Sequence, residues 1–412
     1  MKRVPILLIS ILIVVLELLT VSCGGGSANC GTSTTAACPV PVNQRPSGLA
    51  KRVFVANKNS TVNIVDANLD VLSFTAISGI TTPQYFIRGG GANTIGVMDN
   101  TAGSVTLIDT DTEAVTQSVS LQAPSDSVVL TNDGNWAYAA FNSIGEVVAI
   151  SVTGSVSNVT FSGLSGARRL VLSNSNNKVL VFRDNSTSMS IIDVATNVAT
   201  PVTIAASLGA FQLDNPYTGV FSSDDTKAYI LSCGSECGGT QASVSVLDIA
   251  SATITGTVNV DAATAAILDS TGANLYVVGS LNNVGKINVV SISALTATHL
   301  AVSLPNGLHT ASTMAMTSNG KIYIGSTGCT TTGAINAAGS TGCLAVFTIA
   351  GNSVTTLANL GNVTSVEPIS GRMVMYVTSG GELYIYNYTT DTLQATQIDI
   401  IGLAQDARLI DK

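Results

Sequence analysis

Charge is what this 412-residue chain has least of. Asp, Glu, Lys and Arg make up 10% of it, against roughly a quarter in an average soluble domain. Aromatic residues are also scarce at 5%, with a single tryptophan, Trp136. Two histidines, His299 and His309, are too few for a bis-histidine haem or a three-histidine metal centre, and no Cys-x2-Cys pair stands near either. Basic residues are outnumbered 17 to 25, a net charge of −8. That balance gives no electrostatic footprint for phosphate backbones, which excludes nucleic acid as a partner, and no polybasic patch for anionic lipid. Long apolar runs are missing beyond the N-terminus. The 46% of hydrophobic residues and mean hydropathy of +0.43 come instead from Val, Ile and Ala scattered among Gly, Ser and Thr. A chain this apolar and this weakly charged can bury enough surface to offset its ordering entropy, so disorder is excluded too.

The N-terminus reads as an address. Met1-Lys2-Arg3 supplies a positive start, and an apolar stretch follows, broken by Glu17 and ending at Cys23-Gly24-Gly25-Gly26. A membrane span needs about 20 predominantly apolar residues, so the segment has the form of an export signal. Leu19-Thr20-Val21-Ser22-Cys23 resembles the bacterial lipoprotein signal, although Thr20 stands where that family prefers Leu. The resemblance implies removal of residues 1–22 and diacylation of Cys23. Acyl chains contribute about 0.8 kcal/mol per buried methylene, so several chains hold a soluble domain at a membrane. Loss of Lys2, Arg3 and Glu17 would leave 15 basic and 24 acidic residues, a net charge of −9. Residues 23–49, rich in Gly, Ser, Thr and Pro, form a flexible tether reaching about 25 to 30 Å.

From residue 50 to 412 one unit recurs. Its second strand appears around Val55, Val97, Ala139, Val181, Ile230, Val277, Ile324 and Val377, at intervals of 42, 42, 42, 49, 47, 47 and 53 residues. Its third strand alternates strictly, as in Ser104-Val-Thr-Leu-Ile-Asp109 and Ser243-Val-Ser-Val-Leu-Asp248, which marks a half-buried strand. Asp133-Gly134, Thr271-Gly272 and Asn319-Gly320 supply the positive φ of tight hairpins between first and second strands. The Asp after each third strand, followed by Thr112, Thr196 or Ser251, reads as an Asx turn. Eight four-stranded antiparallel units predict an all-β, eight-bladed β-propeller in a single domain, with seven blades as the alternative. The first unit has no inner strand of its own, whereas residues 405–409 match the inner strands of other units. The C-terminal strand is therefore expected to complete the first blade.

Val53-Phe-Val-Ala-Asn57 with Val62-Asn-Ile-Val-Asp66, and the 104–115 segment with Thr112 and Val115, resemble the YVTN-type propeller repeat of exported bacterial and archaeal proteins. That family includes lactonase-like enzymes, surface-layer modules and binding scaffolds, so the resemblance implies a fold more than an activity. The tryptophan-rich blades of the eight-bladed lipoprotein in the outer-membrane assembly machinery are not matched.

With Cys23 lipidated, six cysteines remain. Their spacing suggests the disulfides Cys30–Cys38, Cys233–Cys237 and Cys329–Cys343, with zinc at Cys233-x3-Cys237 as the rival in a reducing compartment. Insertions at 205–215, 233–242 and 329–342 all fall on the face shared by the second-to-third loops and the links between blades, which points to blades 5–7 for recognition. Tyr85, Asp126, Arg168, Arg169, Tyr217, His309, Glu367 and Asp406 lie at or near the starts of inner strands and are candidates for the channel mouth, with a surface-loop position as the preferred reading for His309. The acidic run 109–113 lacks the glycine and spacing of a calcium loop, and the second-strand tyrosines 138, 229, 276, 323 and 376 read as packing. No metal, cofactor or catalytic constellation is expected. The composite expectation is a lipid-anchored cell-envelope propeller, at the periplasmic or exposed face of the outer membrane, that binds another envelope protein or a small ligand. The alternatives are a lactonase-like hydrolase and a surface adhesion module. Deleting the last ten residues should abolish cooperative melting, and an unchanged melting temperature would contradict the closure.

Overall fold

The computed structural model describes residues 46–411 except 92, 100, 331–341, 358–360 and 395–396. The signal segment, Cys23, Cys30, Cys38, nearly all of the tether and the middle of the 329–342 insertion lie outside the described residues. Eight antiparallel sheets form eight blades. Their second strands are Lys51–Asn57, Thr94–Asp99, Trp136–Phe141, Lys178–Arg183, Asn274–Leu281 and their counterparts Lys227–Ser232, Lys321–Gly325 and Val374–Ser379. Each contains the position at which the repeat was recognised. The inner strands of blades 2 to 8 are Pro83–Arg88, Ser127–Leu130, Ala167–Leu172, Pro216–Phe221, Ala265–Leu268, Met314–Met316 and Val363–Pro368. Blade 1 takes its inner strand, Ala404–Asp411, from the C-terminus, antiparallel to Lys51–Asn57 with Val53 opposite Leu409. The inner strands touch in sequence around the ring, and Val363–Pro368 touches Ala404–Asp411.

The local chemistry forms these elements as expected. Gly134, Gly272, Gly320 and Asp225 all take positive φ in the first-to-second turns. The Asp109 carboxylate accepts the Asp111 and Thr112 N–H groups, and Asp193 and Asp248 do the same for Thr196 and Ser251. The Asp109 carboxylate is thus engaged in a turn, and among the described residues no cluster of metal-ligating side chains occurs. One departure is in blade 5. After leaving blade 4 the chain pairs Thr203–Ile204 in parallel with the outer strand Thr253–Asn259 before turning inward, so this sheet has five strands. The 205–215 insertion is the return path from that edge, and it contains the short turn Ala206–Leu208.

The core is divided among the interfaces between blades. Phe54, Ile64, Phe86 and Val97 pack between blades 1 and 2, and Val53, Val65, Tyr376 and Ile385 between blades 8 and 1. Six further clusters fill the other interfaces. The second and third strands are buried on both faces, which gives them near-continuous apolar runs and leaves charge only at their ends. Full burial of one Val or Leu contributes about 1.5 to 3 kcal/mol, so this packing dominates the stability.

The face carrying the third-to-fourth turns is latched from blade to blade. Tyr138 Oη donates to Asn197 Oδ1 of blade 4 at 2.6 Å, Tyr323 Oη to Asp391 of blade 8 at 3.0 Å, and Tyr376 Oη to Asp70 of blade 1 at 2.5 Å. The tyrosines are therefore packing residues with a polar tip that fastens the next blade. Each acceptor is the positive-φ residue of its turn, where Asn and Asp are tolerated. Arg372 and Lys321 add ion pairs to Asp70 and Asp391. Between blades 1 and 2 the same latch is a fully buried pair, Arg52 Nε to Glu113 Oε1 at 3.1 Å. Ser47 donates its N–H and hydroxyl to Glu113 at 2.6 and 2.5 Å, so the entering chain is pinned on this turn face. Burial pulls the Arg52 guanidinium down, with Glu113 opposing. Glu113→Ala leaves a buried cation unpaired, and should destabilise the propeller by about 3 to 5 kcal/mol in denaturant unfolding monitored by Tyr fluorescence. A change below about 1 kcal/mol, the scale of an exposed pair, would contradict this role.

Candidate functional site

The eight sequence-derived channel-mouth residues fall into separate groups. Asp406 and Glu367 are buried, and Tyr85 half-buried, where adjacent inner strands meet. Asp406 Oδ2 accepts the Phe86 N–H of the next blade at 2.9 Å. At the equivalent positions Ser365 Oγ accepts from Ala407 and Ser127 Oγ from Leu170, each side chain satisfying an N–H on the open edge of the following inner strand. Tyr85 occupies the same position in blade 2, beside the Val128 backbone, and burial pushes its phenol up to about 12. Glu367 accepts the Leu409 N–H at 3.0 Å, and Arg408 lies between Glu367 and Asp406 at 3.5 and 3.3 Å. Burial raises both carboxyls, with Arg408 opposing. Glu367, Arg408 and the exposed Arg88 border an axial cavity of about 440 Å³ whose walls include Met314, Met316 and Val366. His309 is fully buried instead of lying on a surface loop. Its Nδ1 stands 2.8 Å from the Gly325 carbonyl, and burial lowers its pKa.

The remaining four, Asp126, Arg168, Arg169 and Tyr217, come together on the link face. A β-bulge between Ala167 and Arg169 explains how. In a regular strand consecutive side chains point to opposite faces, but the extra residue re-aims one of them. Arg168 and Arg169 consequently share one carboxylate. Arg168 Nη1 reaches Asp184 Oδ2 at 2.7 Å and Arg169 Nη1 reaches Oδ1 at 2.6 Å, while Arg168 Nε stands 3.3 Å from Asp126. These donors hold the Asp184 carboxyl below its usual range against the desolvation that would raise it, and Asp184 raises Arg168. A second bulge, between Pro216 and Thr218, presents Tyr217, over whose ring the Arg169 guanidinium lies 3.6 Å from the centroid. Arg168, Arg169, Asp184 and Tyr217, with Arg183, Asn185 and Asn215, line a cleft of about 290 Å³, and Asp126 stands behind Arg168.

Its far wall is the 233–242 insertion. The Cys233–Cys237 disulfide forms here, as does Cys329–Cys343 in blade 7. Asp214 accepts the N–H groups of Thr240 and Gln241, and Asn215 Nδ2 donates to the Cys237 carbonyl. Within the stapled turn Gly234–Cys237, Glu236 crosses to blade 6, where its Oε2 accepts the Ser280 N–H at 2.8 Å beside the Thr264 hydroxyl. Partial burial pushes its carboxyl up to about 7. Glu236 lines a second cleft of about 370 Å³ that shares Tyr217 and Cys237 with the first. Asp184 and Glu236 were not singled out from the sequence. Glu236 left one signal, as the only charge inside a Cys-x3-Cys loop, and Asp184 left none.

No family model and no curated protein matches the chain. Solved structures do share its fold. Dihydro-heme d1 dehydrogenase NirN, in complex with DHE, is 11% identical with a TM-score of 0.65, covering 90% of this chain and 77% of its own. Apo AztD from Citrobacter koseri is 11% identical, with a TM-score of 0.54 and coverage of 88% and 98%. The Kuenenia stuttgartiensis hydrazine synthase is 12% identical, with a TM-score of 0.52 and coverage of 76% and 94%. At such identities the likeness establishes the class, an eight-bladed β-propeller, and nothing about activity.

Because the folded state holds the proton of Glu236 more tightly than the unfolded chain does, its contribution to stability should fall as the pH rises from about 4.5 to 7 and stay flat above. Melting curves should show Glu236→Gln gaining on the wild type across that window. Parallel curves for the two proteins would refute the assignment.

Proposed function

We propose that this protein is a lipid-anchored, extracytoplasmic propeller that acts as a binding or scaffold module, with the link face of blades 4–6 as its recognition surface. The observation that carries the reading is the Arg168–Asp184–Arg169 clamp stacked on Tyr217, at a cleft walled by a disulfide-stapled insertion. Interfaces favour Arg and Tyr because both combine contact area with directed polar groups. Here the groups are fixed before any partner arrives, which lowers the ordering cost of binding. Two disulfides support an oxidising compartment. Entry of the chain on the turn face, at Ser47, supports an orientation in which a tether from Cys23 leaves the link face turned away from the membrane.

The recognition surface differs from the sequence expectation by one blade, since the arginines belong to blade 4 and the insertion to blade 5. One observation favours the hydrolytic alternative. A carboxyl near neutrality inside a cleft, as at Glu236, has the acidity of a general acid or base. Crosslinked pull-down from native membranes tests both readings. The wild type should recover a reproducible envelope protein, Tyr217→Ala should lose it, and Cys23→Ser should move the propeller from the membrane to the soluble fraction. Turnover of lactones with no reproducible partner would overturn the binding reading.

A further inference from the structure

The two clefts that meet at Tyr217 differ in charge. On the blade 4 side Arg168, Arg169 and Arg183 face Asp184 and Asp126, an excess of one positive charge in a chain whose net charge is −8. On the blade 6 side stands Glu236, which among the described residues forms no ion pair, and whose carboxylate reaches the backbone N–H of Ser280. A half-buried carboxylate with no cation partner is a receptor for one. Three arginines, with Arg183 supplying the one charge in excess, suit a single carboxylate better than a phosphate dianion, which would also face Asp184 and Asp126.

We propose that the two clefts form one bipolar site for a short peptide with both ends free, its terminal carboxylate held by Arg168 and Arg169 and its terminal ammonium by Glu236, with the chain between them crossing Tyr217. The site is preorganised at both ends. Asp184 fixes the guanidinium planes, and the Cys233–Cys237 bond with the Asp214 contacts fixes the turn that carries Glu236. Asn185 and Asn283, both in left-handed loop positions on the rims, place amide side chains at the two clefts, where a peptide backbone needs donors and acceptors. Cavities of about 290 and 370 Å³ lie at the lower end of the range for small-molecule sites, and joined they fall well within it.

This inference rests on the link face being the recognition surface, but not on the anchor or on any envelope partner. Calorimetric titration of the full chain with trialanine, N-acetyl-trialanine, trialanine amide and inorganic phosphate tests it. Trialanine should bind, each blocked peptide should bind at least tenfold more weakly, and phosphate should bind more weakly than trialanine. Arg168→Ala should erase the preference for the free carboxylate alone, and Glu236→Gln the preference for the free amine alone, with melting temperatures showing that both variants fold. No binding of trialanine at millimolar concentration, or equal binding of the blocked peptides, would overturn the proposal. Absent trialanine binding together with a pull-down partner that Tyr217→Ala loses would overturn it while leaving the scaffold reading standing.

Discussion

Everything in this molecule depends on the pairing of Ala404–Asp411 with Lys51–Asn57. A propeller has no central core. Each blade buries its two faces against its neighbours, so opening a single joint exposes two apolar faces at once. The joint formed last in the chain is secured on both faces and at the centre of the ring. Arg372, Tyr376 and Asp70 tie blade 8 to blade 1 on the turn face, and Arg52 and Glu113 tie blade 1 to blade 2. In the middle of the ring Glu367, Arg408 and Asp406 connect all three blades through their inner strands. On the link face Asn57 accepts the Leu403 N–H and donates to the Ile400 carbonyl, which holds the last link against the first blade. In a chain with 10% charge, Arg372, Asp70, Glu367, Arg408 and Asp406 all stand at the one seam that covalent continuity does not close.

The low charge follows from the same geometry. Strands buried on both faces have no solvent side on which to alternate, so polar residues are pushed to strand ends, turns and the open inner edge. At that edge the backbone N–H groups need acceptors, because an unpaired buried donor is costly. Asp406, Ser127 and Ser365 supply them from the preceding blade. The side chains that looked from the sequence like a solvated channel lining are in part the polar mortar of the ring.

The limits of the sequence are clearest at this place. The second and third strands were legible because their spacing and their short apolar runs recur in every copy, although the alternating third strands, read from the sequence as half-buried, are buried on both faces because each blade is covered by two neighbours. The Asx turns were legible because Asp and Thr sit at a fixed offset, and the closure because residues 405–409 repeat the inner-strand pattern without a partner of their own. Inner-strand facing was not legible, since five of these strands carry a register shift near their start, at Pro83/Tyr85, Ala167/Arg169, Pro216/Thr218, Val363/Ser365 and opposite Ala56/Asn57. One extra residue inverts the parity on which any inside-outside assignment rests. It sends Arg168 and Arg169 to one carboxylate and Tyr85 and Asp406 into the seams. Asp184 and Glu236 were hidden for a different reason, being loop residues: Asp184 meets its arginines only through the bulge, and Glu236 meets Ser280 from the neighbouring blade.

The two faces of the ring obey different rules, and this bears on where recognition can evolve. On the turn face the loops are short and several of their polar groups, Asp70, Glu113, Asn197 and Asp391 among them, latch the neighbouring blade, so a change at one of these loosens a joint. On the link face the connections vary in length, from the two-residue turn at Asn282 and Asn283 to the stapled segment 233–242, and their interactions close largely on themselves, as Asp214 does with Thr240 and Gln241. A substitution there changes a cleft without opening the ring. The arginine clamp occupies the border between these regimes: its backbone belongs to the inner strand of blade 4, which the ring holds rigid, while Asp184 and Cys237 belong to loops. Rigid placement from the strand and adjustable chemistry from the loops are the combination a recognition site requires.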